Sequence, residues 1–350
     1  MSKKVCIIGS GKWGSAVAKL VAENVSSSST FNNEVKLFVY QELFKGRKLT
    51  DVINHDHVNP MYLPDVTLPS NILAVPCPRE AAKDADIIIF ILRQQFLGNI
   101  CEQMQGGIKR DALAISLTKS LYHGEKGNEA TVELKCASDV IYEKLNLKAS
   151  VLMGPNLADE IAKEKFSETT IACPDMELWT MWKELFHCKY FNVKFSKQVK
   201  AAELCGALKN VVAAAAGLSD GLDCGKNSKA AIIRLGFLEM KKFIKQFIEN
   251  VDDEIFWEPC GFPDLVATCY GGMTRLVVDA YVKSNKTLRE VEIELFHGNY
   301  LEGPINVKQV YVWLINRGGV EEYPLLRAVY GVFHENKPFQ YFVESLKSSF

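Results

Sequence analysis

Three features of the sequence predict a doubly wound α/β domain followed by an all-α domain. They are a strand, glycine turn and helix near the start, strand-like runs that alternate with helical ones through the first half, and a nearly all-helical second half. At 350 residues the chain is long enough for two domains with separate cores. We predict that residues 1–195 form the α/β domain, of the Rossmann type, and that residues 196–350 form the helical domain.

The first predicted element is a strand over residues 5–8, which runs directly into a G-x-G-x-x-G turn and an amphipathic helix. The turn consists of Gly9, Ser10, Gly11, Lys12, Trp13 and Gly14. Gly9 permits the bend, Gly11 leaves room for a pyrophosphate, and Gly14 lets the helix pack closely on the strand. Phosphates would meet free N–H groups and the positive end of the helix dipole. This order predicts a dinucleotide site, although the glycines alone also fit a plain turn.

A second strand is predicted over residues 35–40, at the distance expected of a βαβ unit. NAD-preferring sites usually carry an acid near this point, where it binds the ribose hydroxyls. Tyr40 is predicted to lie along the adenine, and Glu42 disfavours an additional 2′-phosphate. Lys45 and Arg47 leave NADP open as the alternative. We predict NAD as the cofactor.

The rest of the first half continues the alternating pattern. Further strand-like runs cover residues 72–75, 86–92, 112–117, 151–153, 169–172 and 191–195. From residue 200 onward the pattern becomes helical, with alanine-rich segments of 3.6-residue period. The boundary between the domains is therefore placed after residue 195.

Composition excludes several classes of function. The net charge is −1 with 24% charged residues, so no basic field indicates nucleic acid and no one-signed surface indicates a membrane. No uncharged apolar run reaches the roughly 18 residues of a membrane span. The ten cysteines form no C-x-x-C pair and no zinc-type spacing, so we expect reduced thiols and no metal. With no signal-peptide pattern before the first strand, we expect a cytoplasmic protein.

The segment 204–219 contains one charged residue, Lys209, in an otherwise apolar stretch. A surface helix carries charges on one face every few residues, so this helix is predicted to be buried on nearly all sides. Burial lowers the pKa of a lysine and suits it to acid–base chemistry near neutrality. A lysine that extends from the helix edge into solvent is the alternative.

This segment, which reads Gly206-Ala-Leu-Lys209-Asn210-Val-Val-Ala, resembles the signature of NAD-dependent glycerol-3-phosphate dehydrogenases. The likeness spans nearly the whole chain and is closer to the soluble animal-type enzymes than to the bacterial ones. The other matching motifs are the glycine turn and the segments 115–119, 151–156, 229–236 and 264–272.

The resemblance implies reversible hydride transfer between NADH and dihydroxyacetone phosphate, giving sn-glycerol 3-phosphate, by a homodimer without nucleic-acid partners or a membrane span. Lys209 matches the proton donor to the carbonyl oxygen, and Lys119 matches a second lysine at the substrate. The supporting polar residues implied are Asn210, Asp264 and Thr268. Phe96 and Ala158 match positions beside the cofactor, although either would otherwise be interpreted as a core residue.

The sequence departs from the family at ligand contacts. Met273 and Thr274 replace an arginine and an asparagine that hold the substrate phosphate, so one or two charge-assisted hydrogen bonds are lost. Thr274 and the neighbouring Arg275 remain candidate phosphate ligands. Tyr300 and Glu302 replace a lysine and a glutamine, and Glu302 is predicted to lie at the cofactor, where its charge is unfavourable.

Lys209, Lys119 and Asp264 are all retained, which favours an active dehydrogenase with altered affinity. Two alternatives stay open at this point. One is a catalytically weakened or non-catalytic NAD-binding paralogue, and the other is a dehydrogenase with a shifted substrate.

Overall fold

The computed structural model describes residues 2–123, 133–296 and 298–347. It forms two compact units. Unit 1 comprises Met1–Thr118 and Ala137–Val199, and unit 2 comprises Lys119–Cys136 and Lys200–Phe350.

The described strands, in chain order, are β1 (Lys3–Ile8), β2 (Phe31–Phe38), β3 (Leu43–Phe44), β4 (Arg47–Lys48), β5 (Val58–Asn59), β6 (Leu63–Thr67), β7 (Ile72–Val75), β8 (Ile87–Phe90), β9 (Leu113–Ser116), β10 (Leu121–His123), β11 (Leu134–Cys136), β12 (Ala149–Met153), β13 (Ser167–Ala172) and β14 (Phe191–Ser196). The described α-helices are α1 (Lys12–Ser26), α2 (Leu49–Asp56), α3 (Pro78–Ala82), α4 (Gln94–Met104), α5 (Ala137–Leu145), α6 (Ala158–Ala162), α7 (Trp179–Phe186), α8 (Val199–Gly221), α9 (Lys226–Phe247), α10 (Phe262–Gly271), α11 (Met273–Lys283), α12 (Leu288–Phe296), α13 (Glu302–Arg317), α14 (Pro324–His334) and α15 (Phe339–Lys347).

Unit 1 is built on an eight-stranded sheet of order β14-β13-β12-β9-β8-β1-β2-β7. The six strands from β7 to β12 run parallel, and β13 turns back antiparallel to β12. Parallel strands are covered on both faces, which explains why β8 is apolar throughout and wholly buried. The strand order reverses between β1 and β8, and dinucleotides bind at this kind of switch point. The predicted doubly wound fold is confirmed.

The described part of unit 2 is helical apart from the antiparallel strand pair β10–β11, and its longest helix is α8. Residues 201–219 of α8 are all buried, as the isolated charge at Lys209 predicted. By length and composition α8 could also cross a membrane, but its apolar window is completely buried in the structure. This burial is typical of the core helix of a folded domain.

The division of the chain differs from the predicted one at two places: the boundary falls after Val199 instead of residue 195, and one internal segment changes unit. The prediction treated residues 1–195 as continuous, whereas Lys119–Cys136 belongs to unit 2. The reason is that β10 and β11 pair with each other rather than with the large sheet, and both pack against α13. As a result, Lys119 lies in the same unit as Lys209.

Candidate active site

The glycine turn of unit 1 has the close contacts that the motif requires. Gly9 has a φ of +124°, and a Cβ at this position would lie 2.2 Å from the carbonyl oxygen of Ile91. A Cβ on Gly14 would lie 2.0 Å from the Gly9 carbonyl oxygen, so helix α1 approaches the turn as closely as the backbone allows. A Cβ on Gly11 would meet open space. Side chains at Gly9 or Gly14 would therefore break the turn. At Gly11 no protein atom occupies the space beside the backbone, so a ligand could approach there.

This turn fits a dinucleotide phosphate. Gly11 is the N-cap of α1 and no side chain caps the helix, so the amides of its first turn are available to an anion. Lys12 pairs with Asp159 of α6 at 3.0 Å, and Trp13 packs partly buried on the unit's core.

Asn59 supports the turn from β5 and was missed by the sequence analysis. Its Nδ2 donates to the Ser10 carbonyl and to Ser15 Oγ, each at 2.9 Å, and Ser15 Oγ donates to the Ser10 carbonyl at 3.0 Å. Asn59 is fully buried. It lies in a polar stretch without motif or periodicity, so only the folded chain shows this role.

The chain just beyond β2 carries Tyr40 and Glu42, the two residues predicted to face the adenosine part of the cofactor. The strand stops at Phe38, two residues earlier than predicted, and Tyr40 beyond it is 71% exposed. The carboxylate of Glu42 accepts a hydrogen bond of 2.7 Å from Tyr62 Oη, which holds its charge in place. Arg47, which the NADP alternative needs, forms two hydrogen bonds with Asp56.

We therefore expect kcat/KM to be at least about tenfold higher with NADH than with NADPH, since a 2′-phosphate would face the Glu42 carboxylate and Arg47 is already paired with Asp56. Glu42→Gln should narrow this ratio by improving NADPH alone, whereas Glu34→Gln, at an exposed position of β2, should leave it unchanged. Equal use of both cofactors by the unmodified protein would contradict this interpretation.

Phe96 and Ala158 follow β8 and β12, at the sheet edge where the glycine turn follows β1. Phe96 is 48% exposed in the first turn of α4, which excludes a core role. Ala158 begins α6 and packs beside a small apolar cluster. Their contacts with a cofactor stay predictions.

The centre of unit 2 is a carboxylate shared by two lysines. Asp264 of α10 is 1% exposed, and its Oδ2 lies 2.9 Å from Lys119 Nζ. Its Oδ1 accepts a short hydrogen bond from Lys209 Nζ on α8. The three groups were predicted from separate motifs, and the fold brings them together.

The electrostatics of this cluster suit proton transfer. Burial, assisted by the positive charge of Lys119, lowers the pKa of Lys209 to about 7, although Asp264 acts in the opposite direction. An ammonium with a pKa near neutrality is able both to give and to take a proton at physiological pH. The alternative of a lysine extending into solvent is excluded, because Lys209 is only 6% exposed.

Thr268 and Asn210 border the lysines. Thr268 lies one turn after Asp264, and its Oγ1 donates to the Asp264 carbonyl at 2.7 Å. Asn210 is 8% exposed and has only a long contact, 3.5 Å, from Nδ2 to the Gly206 carbonyl. Because this contact is long, the side-chain amide of Asn210 is only weakly committed within the protein. The main-chain carbonyl oxygen of Asn210 faces Gly303, where a Cβ would approach to 2.5 Å.

The two candidate phosphate ligands differ in placement. Thr274 is buried beside Gly303. Ala214, which also borders Gly303, lies one turn along α8 from Asn210. The guanidinium of Arg275 instead pairs with Asp220 and, more weakly, with Asp279.

Arg275 lies away from the lysine cluster, and its role as a phosphate ligand stays a prediction. Its carbonyl packs against Gly217, about 10 Å further along α8 than Asn210. The carboxylate of Asp220, which also binds Lys229 at 2.7 Å, holds the guanidinium there. Met273 is 40% exposed at the start of α11 and offers a thioether where a cation was expected.

Glu302 begins α13 and has a partner that the sequence did not indicate. Its Oε2 accepts a hydrogen bond of 2.9 Å from Ser120 Oγ, next to Lys119. The carboxylate also lies at the positive end of the helix dipole. Both effects stabilise its charge. Tyr300 is half-exposed beneath the guanidinium of Arg289, 4.1 Å from the ring centroid.

A dinucleotide turn in unit 1 and a lysine–carboxylate cluster in unit 2 are together typical of one class of protein, the nicotinamide-dependent dehydrogenases. Among the described residues no group of three or more His, Cys, Asp and Glu side chains is placed to hold a metal ion.

Comparison with known proteins specifies the class. Models of the N- and C-terminal parts of NAD-dependent glycerol-3-phosphate dehydrogenase match residues 4–179 and 198–344. The chain is 45% identical to the mouse glycerol-3-phosphate dehydrogenase 1-like protein, over 99% of this chain and 97% of that one. It is also 45% identical to the human cytoplasmic glycerol-3-phosphate dehydrogenase [NAD(+)], over 99% and 98%. A solved glycerol-3-phosphate dehydrogenase from Saccharomyces cerevisiae superimposes with a TM-score of 0.87 at 38% identity, covering 99% of each chain.

The chain belongs to the NAD-dependent glycerol-3-phosphate dehydrogenase family. The predicted family, enzyme class and cofactor, NAD, are confirmed.

Proposed function

We propose that this chain interconverts dihydroxyacetone phosphate and sn-glycerol 3-phosphate with Lys209 as the acid and base. We also propose that it binds the substrate phosphate more weakly than family members that carry the arginine and asparagine. The observation that carries the proposal is the intact Lys119–Asp264–Lys209 cluster beside altered phosphate positions. A cytoplasmic homodimer is part of the same proposal. The location is supported by the similarity to the human cytoplasmic enzyme, and the dimer by the family resemblance alone.

In the reductive direction NADH supplies the hydride when it is bound. The substrate carbonyl oxygen gains negative charge as its carbon is reduced, and the Lys209 ammonium donates the proton that neutralises it. Asp264 keeps Lys209 oriented, and the Lys119 ammonium adds a second positive charge for the developing alkoxide. In the oxidative direction neutral Lys209 accepts the hydroxyl proton.

Binding of the substrate phosphate is the second requirement for substrate recognition. Loss of one or two charge-assisted hydrogen bonds at Met273 and Thr274 removes about 1.5–3 kcal/mol each. Because Arg275 is held by Asp220, it does not replace them. A weak phosphate site therefore accompanies an intact acid–base site.

The proposal is tested by following NADH oxidation with dihydroxyacetone phosphate, unphosphorylated dihydroxyacetone and other small ketones, with the stereochemistry of the product determined. We expect dihydroxyacetone phosphate to give the highest kcat and sn-glycerol 3-phosphate as product. A higher kcat/KM with a non-phosphorylated ketone would establish a shifted substrate instead.

The pH dependence follows from the lowered pKa of Lys209. The ammonium is the acid in reduction, so kcat for reduction should fall as pH rises through about 7. The neutral amine is the base in oxidation, so kcat for oxidation should rise over the same range. Initial rates in both directions across the neutral range provide the measurement, and rates that do not change there would contradict the role of Lys209.

A further inference from the structure

The segment that carries Lys119 is anchored at three consecutive residues. Lys119 Nζ binds Asp264 of α10, Ser120 Oγ donates to Glu302 at 2.9 Å, and the Leu121 amide donates to Asn306 Oδ1 at 3.4 Å. Glu302 and Asn306 both lie in the first turns of α13. Helix α13 therefore holds the segment that presents Lys119.

Asn306 connects this segment to the helix that carries Lys209. While its Oδ1 accepts from Leu121, its Nδ2 donates to the Ala207 carbonyl of α8 at 3.0 Å. Ala207 precedes Lys209 by two residues, and Asn306 is fully buried. A neutral amide is suited to this position because it donates and accepts at once.

Helix α13 is also pressed directly onto α8 at this level. A Cβ on Gly303 would lie 2.5 Å from the Asn210 carbonyl oxygen and 3.2 Å from Ala214 Cβ. The close contact between the helices leaves little room for the Asn306 side chain to move away from its two partners. The segment that carries Lys119 and the helix that carries Lys209 are thus both hydrogen-bonded to the buried side chain of Asn306.

We propose that Asn306 is a positioning residue that sets where the Lys119 ammonium meets the carboxylate shared with Lys209. This inference rests on the proposed roles of the two lysines. Like charges a few ångströms apart interact strongly in a buried site, so a displacement of Lys119 changes the proton affinity of Lys209. A displacement of about 1 Å is also enough to reduce turnover by an order of magnitude or more.

The charged groups around Lys209 are Lys119 from the anchored segment and Asp264 from α10, with Glu302 of α13 next to Lys119 through Ser120. The buried thiols of Cys205 on α8 and Cys269 on α10 are further titratable groups nearby. Asn306→Leu keeps approximate shape and removes both hydrogen bonds, and Ser120→Ala removes only the bond to Glu302. Ser120→Thr retains the hydroxyl and should keep kcat and its pH midpoint close to those of the unmodified protein. Tyr323→Phe is the matched control, because it removes a buried hydrogen bond to Gln246 elsewhere in unit 2.

With the full-length protein and dihydroxyacetone phosphate, we expect Asn306→Leu to lower kcat for reduction about tenfold. The pH midpoint of that rate should rise by about half a unit, because the displaced Lys119 ammonium repels the charged form of Lys209 less strongly. Ser120→Ala should shift the midpoint in the same direction by less, and Tyr323→Phe should lower only the melting temperature.

An unchanged midpoint in a folded Asn306→Leu protein would overturn the inference and leave Asn306 with a structural role. Should that variant fail to fold, Asn306→Ser decides, because a serine side chain is too short to bind the Leu121 amide and the Ala207 carbonyl together: kcat and a midpoint equal to those of the unmodified protein would overturn the inference. A pH-independent rate in the unmodified protein would identify a different failure, that of the role proposed for Lys209, and the inference would fall with it.

Discussion

Lys209→Met is expected to lower kcat for reduction by about a thousandfold or more, because it removes the proton donor and leaves the hydride donor in place. Methionine has a similar length and no charge, so the buried helix α8 accommodates it without an unpaired ammonium. NADH binding, followed by nicotinamide fluorescence, should change little, since the dinucleotide turn lies in unit 1.

Lys19→Met is the matched control. Lys19 is also a buried lysine paired with carboxylates, here Glu23 and Glu164 of unit 1. Its replacement should cost stability and leave kcat close to that of the unmodified protein. Near-normal kcat in Lys209→Met would refute the assignment of the acid.

The second large effect is expected from restoring the phosphate ligands. Met273→Arg combined with Thr274→Asn should lower KM for dihydroxyacetone phosphate about tenfold or more, because each ~1.4 kcal/mol regained is a factor of ten. Unphosphorylated dihydroxyacetone should be little affected, since it offers nothing to the new guanidinium. Met273 is partly exposed, so an arginine fits there readily. Thr274 is buried, and an asparagine there could disturb the packing, so the single variant Met273→Arg is measured as well.

Leu238→Arg controls for the added charge, because it places a guanidinium at an exposed position of α9. It should leave both KM values unchanged. If the double variant left both substrates equally poor, the phosphate account would be wrong and another departure, such as Glu302, would dominate.

The sequence predicted the parts of the site that are encoded locally. The glycine turn is a contiguous motif, and the composition of residues 204–219 correctly indicated a buried helix, although it left open whether Lys209 itself extends into solvent.

Contacts between distant residues were beyond that kind of analysis. Ser120 and Glu302 are 182 positions apart, and Asn306 meets Leu121 across 185. Nothing near Arg275 indicated that Asp220, 55 residues earlier, would hold its guanidinium. The placement of Lys119 in unit 2 likewise depends on a hairpin that pairs with itself instead of the large sheet.

The central claim is that an intact acid–base cluster operates beside a weakened phosphate site. The most direct test is the saturation curve of NADH oxidation by the unmodified protein, with dihydroxyacetone phosphate varied over a wide range of concentration. We predict clear turnover that saturates only well above the micromolar range. Absence of turnover at every concentration would contradict the intact cluster, and saturation at micromolar substrate would contradict the weakened phosphate site.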